Sequence, residues 1–229
     1  MNRVLKAITA GALLVGFCAP FNNANAILIG NSQGSVEFPQ GAISFADVLV
    51  NYSPVINAGQ PTEPYRGGSN ALGLPDYAGV NTCASQLSCT FVSLGDGGSI
   101  TLRFTDNVLT GSGDASPDLH IFEVGPDVED TFVDISVDGS TWLSVGAVGG
   151  SLSSIDIDAF GYGVNSLFSY VRLTDNTNEG GQSGNTVGAD IDAVGAISTR
   201  RVVQVPAPAT LALLGLGLTG LGWSRRKKA

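Results

Sequence analysis

Paired carboxylates are the residues of this chain best placed to do chemistry. Asp156-Ile157-Asp158 and Asp190-Ile191-Asp192 each set two acids one residue apart. In a strand, where side chains alternate between faces, both members of such a pair point the same way. Like charges that close repel unless something positive lies between them. Asp175 opens a further oxygen-rich turn, Asp175-Asn176-Thr177-Asn178-Glu179-Gly180. It has glycine at the sixth position, as a twelve-residue EF-hand loop does, but Thr186 stands where that loop needs its bidentate glutamate. A hard cation with oxygen ligands would relieve the crowding, and Ca²⁺ is the ion this donor set suits. The expected ligands are Asp175, Asp190 and Asp192. Arg172 is the alternative source of positive charge, and no other cofactor is expected.

Other motifs fail on context. Gly30-Asn31-Ser32-Gln33-Gly34 fits the G-x-S-x-G nucleophile elbow. That elbow needs a strand, a turn, a helix and a later histidine base; no helical pattern follows. The single histidine, His120, lies in a strand-like run beside Asp118 and Glu123. One histidine with no cysteine near it does not make a zinc site. Two of the acids could in principle act as a glycosidase pair, which needs carboxyls about 5–9.5 Å apart across a cleft. With 20 acids in the chain some pairing is inevitable. The expectation is therefore a protein without a catalytic residue. The rival readings are a secreted hydrolase acting on exopolysaccharide and a ligand-free structural spacer.

The elements that must position these residues read as strands. Glycine accounts for 31 residues, and Asn, Asp and Ser fill the gaps between short apolar runs. Ile100, Leu102 and Phe104 alternate with Thr101 and Arg103; Val133, Ile135 and Val137 alternate with Asp134 and Ser136. Asp138-Gly139 is a hairpin signal, with Trp142 on the return strand as an expected core anchor. Residues 169–174 alternate again, and so does Ile191 to Ile197, where Gly195 marks a bulge or a close packing contact. Long helical periodicity is absent. The predicted fold is all-β, a two-sheet sandwich of jelly-roll type over residues 27–198. Long loops at 51–89, 106–117 and 175–189 connect the strands. Tyr65, Tyr77 and Tyr162 lie on loops, where exposed rings would suit sugar stacking. Residues 199–205 read as a linker.

The two ends read as addresses. Asn2 to Lys6 is basic, Ala7 to Ala19 is a short apolar run, and Ala24-Asn25-Ala26 supplies the small-x-small pattern that a signal peptidase pocket admits. Cleavage is expected after Ala26, leaving residues 1–26 as the signal peptide. At the far end Val205-Pro206-Ala207-Pro208 opens an apolar stretch that runs to Trp223, and Arg225-Arg226-Lys227-Lys228 closes it. The stretch is about long enough to span a bilayer, with the basic cluster on the cytoplasmic side. The glycine pattern Gly215-x-Gly217-x-x-Gly220 lies inside this apolar tail, which excludes a dinucleotide site. The domain between the ends carries all 20 acids against five arginines, and no lysine occurs between Lys6 and Lys227. Such a surface repels phosphate backbones, so nucleic acid is not an expected partner. Cys83 and Cys89 remain after processing, and in an oxidising compartment a local disulfide is the default.

Residues 205–229 resemble the PEP-CTERM sorting signal, in the Val-Pro-Ala-Pro form with Ala207 where glutamate usually stands. The resemblance implies recognition by an exosortase-type transpeptidase in a Gram-negative bacterium that makes exopolysaccharide. It also implies an inner-membrane-anchored precursor that is then released to, or attached at, the cell surface or matrix. The segments Ala71-Leu72-Gly73-Leu74-Pro75-Asp76, Phe91 to Ile100, Asp118 to Glu123 and Val137 to Trp142 are similar to discoidin-like, galactose-binding-like jelly rolls. That resemblance implies glycan binding at the loops of one end and a structural Ca²⁺.

Overall fold

The computed structural model describes residues 25–31, 34–124, 129–149, 152–178 and 184–202. Ala24 of the cleavage site, the signal peptide before it and the sorting residues Val205 to Lys228 lie outside the described residues. Among the described residues, thirteen strands follow one another: β1 (Ile27–Asn31), β2 (Gly34–Phe38), β3 (Val48–Ser53), β4 (Val92–Ser93), β5 (Ser99–Arg103), β6 (Asn107–Leu109), β7 (Leu119–Glu123), β8 (Thr131–Ser136), β9 (Leu143–Val148), β10 (Leu152–Ile155), β11 (Tyr170–Asp175), β12 (Asp190–Ala196) and β13 (Thr199–Arg201). Every pairing among them is antiparallel. The two larger sheets have the orders β3-β5-β11-β8-β9 and β10-β7-β12-β4, and β1-β2 and β13-β6 form two-stranded sheets. The all-β sandwich expected from the alternation is what forms. Among the described residues, no helix is long and apolar enough to cross a membrane.

The five-stranded sheet follows the period-two pattern. On β11, Val171, Leu173 and Asp175 turn inward and Tyr170, Arg172 and Thr174 outward. Its inward residues meet Leu119, Ile121 and Val194 of the facing sheet, together with Ile100, Leu102, Val133 and Ile135. The four-stranded sheet behaves differently, since β7 and β12 are buried at every position. A second layer causes this. The β1–β2 hairpin brings Phe38 over the outside of β12, and Phe38, Phe45, Phe122 and Ala193 form a separate apolar cluster there. Gly195 makes that layer possible. A Cβ at this position would lie 2.5 Å from the Phe38 ring and 3.0 Å from the Phe45 ring, so the close contact read from the sequence is between glycine and aromatic faces.

The linker expected at residues 199–205 begins instead as structure. β13 pairs with β6, and Thr199 Oγ1 accepts from Asn107 Nδ2 at 2.6 Å and donates to the Val108 carbonyl at 2.8 Å. A three-residue pairing held by main chain and short polar side chains leaves no apolar pattern to read.

Gly195→Ala should destabilise the domain by about 1–3 kcal/mol, because the added methyl cannot enter without displacing Phe38 or Phe45. Urea unfolding of residues 27–202 measures this. An unchanged midpoint would show that the outer layer gives way freely.

Candidate functional site

The three acids expected to bind Ca²⁺ are buried, and protein donors hold each of them. Asp175 Oδ1 accepts from the Ala189 N–H at 2.7 Å and Oδ2 from the Gly97 N–H at 2.8 Å, so this carboxylate ties two loops to the end of β11. Asp190 opens β12 and accepts a hydrogen bond from the Ser93 hydroxyl on β4. Asp192 is the extra residue where the register of β12 against β7 shifts, and its oxygens accept from the N–H groups of Asp76 at 3.1 Å and Tyr77 at 3.3 Å. Asp175 and Asp190 lie near one another, while Asp192 faces the 76–77 loop. Asp175 and Asp192 anchor loops, while Asp190 is held by the neighbouring strand.

Glu123, at the end of β7, joins Asp190. The two are 5% and 8% exposed. Burial pushes the Glu123 carboxyl up to about 9, helped by the charges of Glu129 and Asp190, with the Glu129 N–H working against it. Burial likewise raises Asp190 to about 8 against the Ser93 hydrogen bond, and Asp192 to about 7 against the Asp76 and Tyr77 N–H groups. At neutral pH, Glu123 and Asp190 therefore hold protons. Carboxyls this enclosed are closed to a substrate, which separates them from the cleft-lining pair that a hydrolase needs. Sequence reading missed Glu123 as part of this group, although its place at the end of a mostly apolar strand is a usable signal.

His120 is a core residue. Its Nδ1 lies 2.7 Å from Ser154 Oγ, its ring meets Phe122 edge to face at 4.6 Å, and burial lowers it to about 4, which keeps it neutral. Gly30 and Gly34 belong to the β1–β2 hairpin, so the strand-turn-helix setting of a nucleophile elbow is absent there; Ser32 lies outside the described residues. Cys83 and Cys89 form the expected disulfide, with Cys89 packed beside Tyr65 and Phe91. The three loop tyrosines turn inward. Tyr65 and Tyr77 pack on Phe91, and Tyr162 meets Phe168 edge to face at 5.4 Å.

One group of outward-facing aromatic and charged side chains stands on the five-stranded sheet. The Asp138 carboxylate fixes the β8–β9 turn by accepting from the N–H groups of Thr141 and Ser140, both at 2.8 Å, and these donors hold it well below the usual carboxylate range. Gly139 supplies the left-handed step of the turn, at φ 74°. The turn delivers Trp142 to the outer surface rather than to the core where the sequence placed it. There the Arg172 guanidinium lies 4.4 Å from the Trp142 ring centroid and pairs with Asp134 at 2.7 Å. Arg172 and Asp134 are direct cross-strand neighbours, so Arg172 neutralises Asp134 and not Asp175. Along the same face Arg103 covers Tyr170 at 5.2 Å, and Phe132 is 43% exposed.

Ligand oxygens do converge elsewhere in the molecule. Asp118, Asp156 and Asp158 each offer one within 4.8 Å of the others. Asp156 and Asp158 do not alternate on a strand as the sequence suggested: β10 ends at Ile155, and Asp158 opens a short 3₁₀ turn.

Comparison with known proteins places one segment firmly. Residues 204–227 match the family model of the PEP-CTERM protein-sorting motif. No curated protein matches the chain. Among solved structures the chain is similar to the C-terminal domain of a chitobiase from Bacteroides fragilis, at 14% identity and a TM-score of 0.38, covering 70% of this chain and 97% of that one. It is similar to the CBM32 of AlyQ in complex with 4,5-unsaturated mannuronic acid, at 13% identity and a TM-score of 0.33, covering 66% and 96%. It is also similar to CpGH89CBM32-6 of Clostridium perfringens, at 15% identity and a TM-score of 0.30, covering 47% and 74%. The sorting motif makes this an exported protein with C-terminal sorting, and it implies processing by an exosortase.

The raised carboxyls give the stability a pH dependence of defined sign. Above about pH 4 the unfolded chain loses protons that Glu123, Asp190 and Asp192 keep in the fold. Their contribution is full below that pH and is lost as pH rises through about 7, 8 and 9. Thermal unfolding of residues 27–202 should therefore show a lower midpoint at pH 9.5 than at pH 5, with a smaller drop in Asp190→Asn. A midpoint that rises with pH would contradict the assignment.

Proposed function

We propose that this chain is a non-enzymatic cell-surface or matrix protein whose β-sandwich, displayed beyond the inner membrane, holds a glycan on the outer face of its five-stranded sheet. The observation that carries the reading is the grouping of Trp142, Arg172 and Asp134 on that face, extended by Phe132, Tyr170 and Arg103. A sugar ring presents an apolar C–H face and a rim of hydroxyls. An aromatic face accepts the first, and a planar guanidinium beside a carboxylate offers donors and acceptors to the second. Two of the domain's five arginines stand on this one face of an otherwise acidic molecule.

The tail explains how such a face reaches its ligand. A precursor held in the inner membrane by its apolar stretch exposes the whole sandwich on the far side, and cutting near Val205 to Pro208 frees it for the surface or the surrounding matrix. Signal peptidase cleavage after Ala26 removes the other end. The second reading is a ligand-free spacer. It is favoured by one observation, the inward packing of Tyr65, Tyr77 and Tyr162, which removes the loop rings as a sugar platform.

One measurement tests the sorting role and a second separates the two readings. Deleting residues 204–229 should move the protein from the inner-membrane fraction of the host to the soluble exported fraction; a truncated protein that still pellets with the inner membrane would contradict the sorting role. In co-sedimentation with the host's exopolysaccharide, Trp142→Ala and Arg172→Ala should each lower retention at least tenfold while leaving the melting midpoint within a few degrees. Equal retention of wild type and both variants would move the site off this face. No retention of the wild type would favour the spacer.

A further inference from the structure

We propose that Asp118, Asp156 and Asp158 form a binding site for one divalent cation, Ca²⁺ in preference to Mg²⁺. The site is independent of the glycan face, and it lies at the other end of β7 from Glu123, about 17 Å away at 3.4 Å per strand residue.

The fold brings the three acids together from segments that are distant in sequence. β10 pairs with β7 so that Ile155 stands opposite Leu119, and the Asp118 N–H donates to the Ile155 carbonyl at 2.8 Å. The next residue out from each strand is therefore Asp118 on one side and Asp156 on the other. The chain turns immediately, and Asp158 follows at the start of the 3₁₀ turn. In each carboxylate one oxygen is engaged by protein donors. Asp118 Oδ2 accepts from the Ile157 N–H at 2.9 Å. Asp156 Oδ1 accepts from the Asp158 N–H at 2.9 Å and the Ala159 N–H at 3.4 Å. Asp158 Oδ2 accepts from the Gly113 N–H at 2.9 Å and the Ser112 hydroxyl at 3.2 Å. These bonds fix the orientation of three acids around a common point.

What they leave over points to a ligand. Asp118 is 0% exposed, yet its Oδ1 has no hydrogen-bond partner among the described residues. A buried carboxylate oxygen without a partner is costly, and here two further carboxylates stand beside it. The ion pairs Arg66–Glu63 and Arg172–Asp134 do not involve these acids. Arg200 turns its guanidinium to the Val164 carbonyl. The surroundings are also closely fitted. A Cβ on Gly111 would lie 2.3 Å from the Tyr162 carbonyl oxygen and 2.6 Å from Asp158 Oδ2, so the 111–113 loop is pressed against the acids. Burial raises the Asp118 carboxyl, with the Asp158 charge adding to it and the Ile157 N–H opposing it.

The donor set selects the ion. All three ligands are carboxylate oxygens, which suit hard cations. Ca²⁺ accepts oxygens at about 2.3–2.6 Å in flexible geometry, whereas Mg²⁺ requires a regular octahedron at about 2.0–2.1 Å and gives up water reluctantly. Ligands fixed by backbone bonds on two sides of a sheet edge cannot contract to the tighter shell. A bound Ca²⁺ would join the 111–116 loop, the entry of β7 and the turn after β10.

The test is calorimetric titration of the full-length chain, purified in detergent and stripped with EDTA, using CaCl₂ and then MgCl₂. One saturable Ca²⁺ site is expected, with Mg²⁺ at least tenfold weaker and a thermal midpoint raised by Ca²⁺. Asp156→Asn and Asp158→Asn should each weaken Ca²⁺ binding at least tenfold and abolish the midpoint rise, while Asp175→Asn binds within twofold of wild type. If Asp156→Asn fails to fold, as read from its far-UV circular dichroism, Asp158→Asn decides alone. Absence of a saturable Ca²⁺ signal would overturn the proposal. So would full binding by the Asp156 and Asp158 variants, or loss of binding in Asp175→Asn.

Discussion

Twenty carboxylates, five arginines and no lysine form the charge inventory of the folded domain, and the fold has to bury part of that acidity with almost no countercharge. Burying a bare carboxylate costs several kcal/mol after all relaxation, so each enclosed acid needs a specific remedy. Backbone N–H groups are the first. Asp175 and Asp192 each collect two of them, and in doing so they fasten loops to strand ends. A retained proton is the second remedy, at Glu123 and Asp190. Arginine is the third, and it is spent on the outer sheet face at Asp134. The trio at Asp118 uses the first remedy on one oxygen of each acid and leaves Asp118 Oδ1 without a partner, which is where a cation fits.

This arrangement ties position to role. β7 carries Glu123 at one end and follows Asp118 at the other, so a single buried strand separates the proton-holding acids from the cation-holding ones. The face assigned to glycan lies on the opposite sheet, on the far side of the apolar core. The proposed metal site, the proposed glycan face and the proton-holding acids are thus separate in space. Sorting acts through residues 204–227.

Much of the fold was legible in the sequence because its signals are local. The alternation of β5, β8 and β11 marks half-buried strands, and Asp138-Gly139 marks the β8–β9 turn. The all-β class, the Cys83–Cys89 disulfide and the sorting tail were readable for the same reason. Non-local features were not. Nothing near Phe38 says that it caps β12 across the hairpin, and Trp142 looks like a core residue until the turn is seen to deliver it outward. The Asp156-x-Asp158 spacing drew attention for strand geometry that the fold does not use. Its third partner, Asp118, lies 39 residues before Ile157, the N–H that holds it, and only the β7–β10 register connects them. The burial of Asp175, Asp190 and Asp192 and the donors that hold them depend on loop and strand neighbours whose paths sequence does not give.

The division of the buried acids into two kinds is tested most directly by NMR titration of the carboxyl carbons in the intact domain, with and without Ca²⁺. The account predicts that Glu123 and Asp190 titrate near pH 9 and 8 and do not respond to Ca²⁺. The resonances of Asp118, Asp156 and Asp158 shift together when Ca²⁺ is added. Ordinary titration of Glu123 and Asp190 near pH 4, or a Ca²⁺ response confined to Asp175, Asp190 and Asp192, would contradict it.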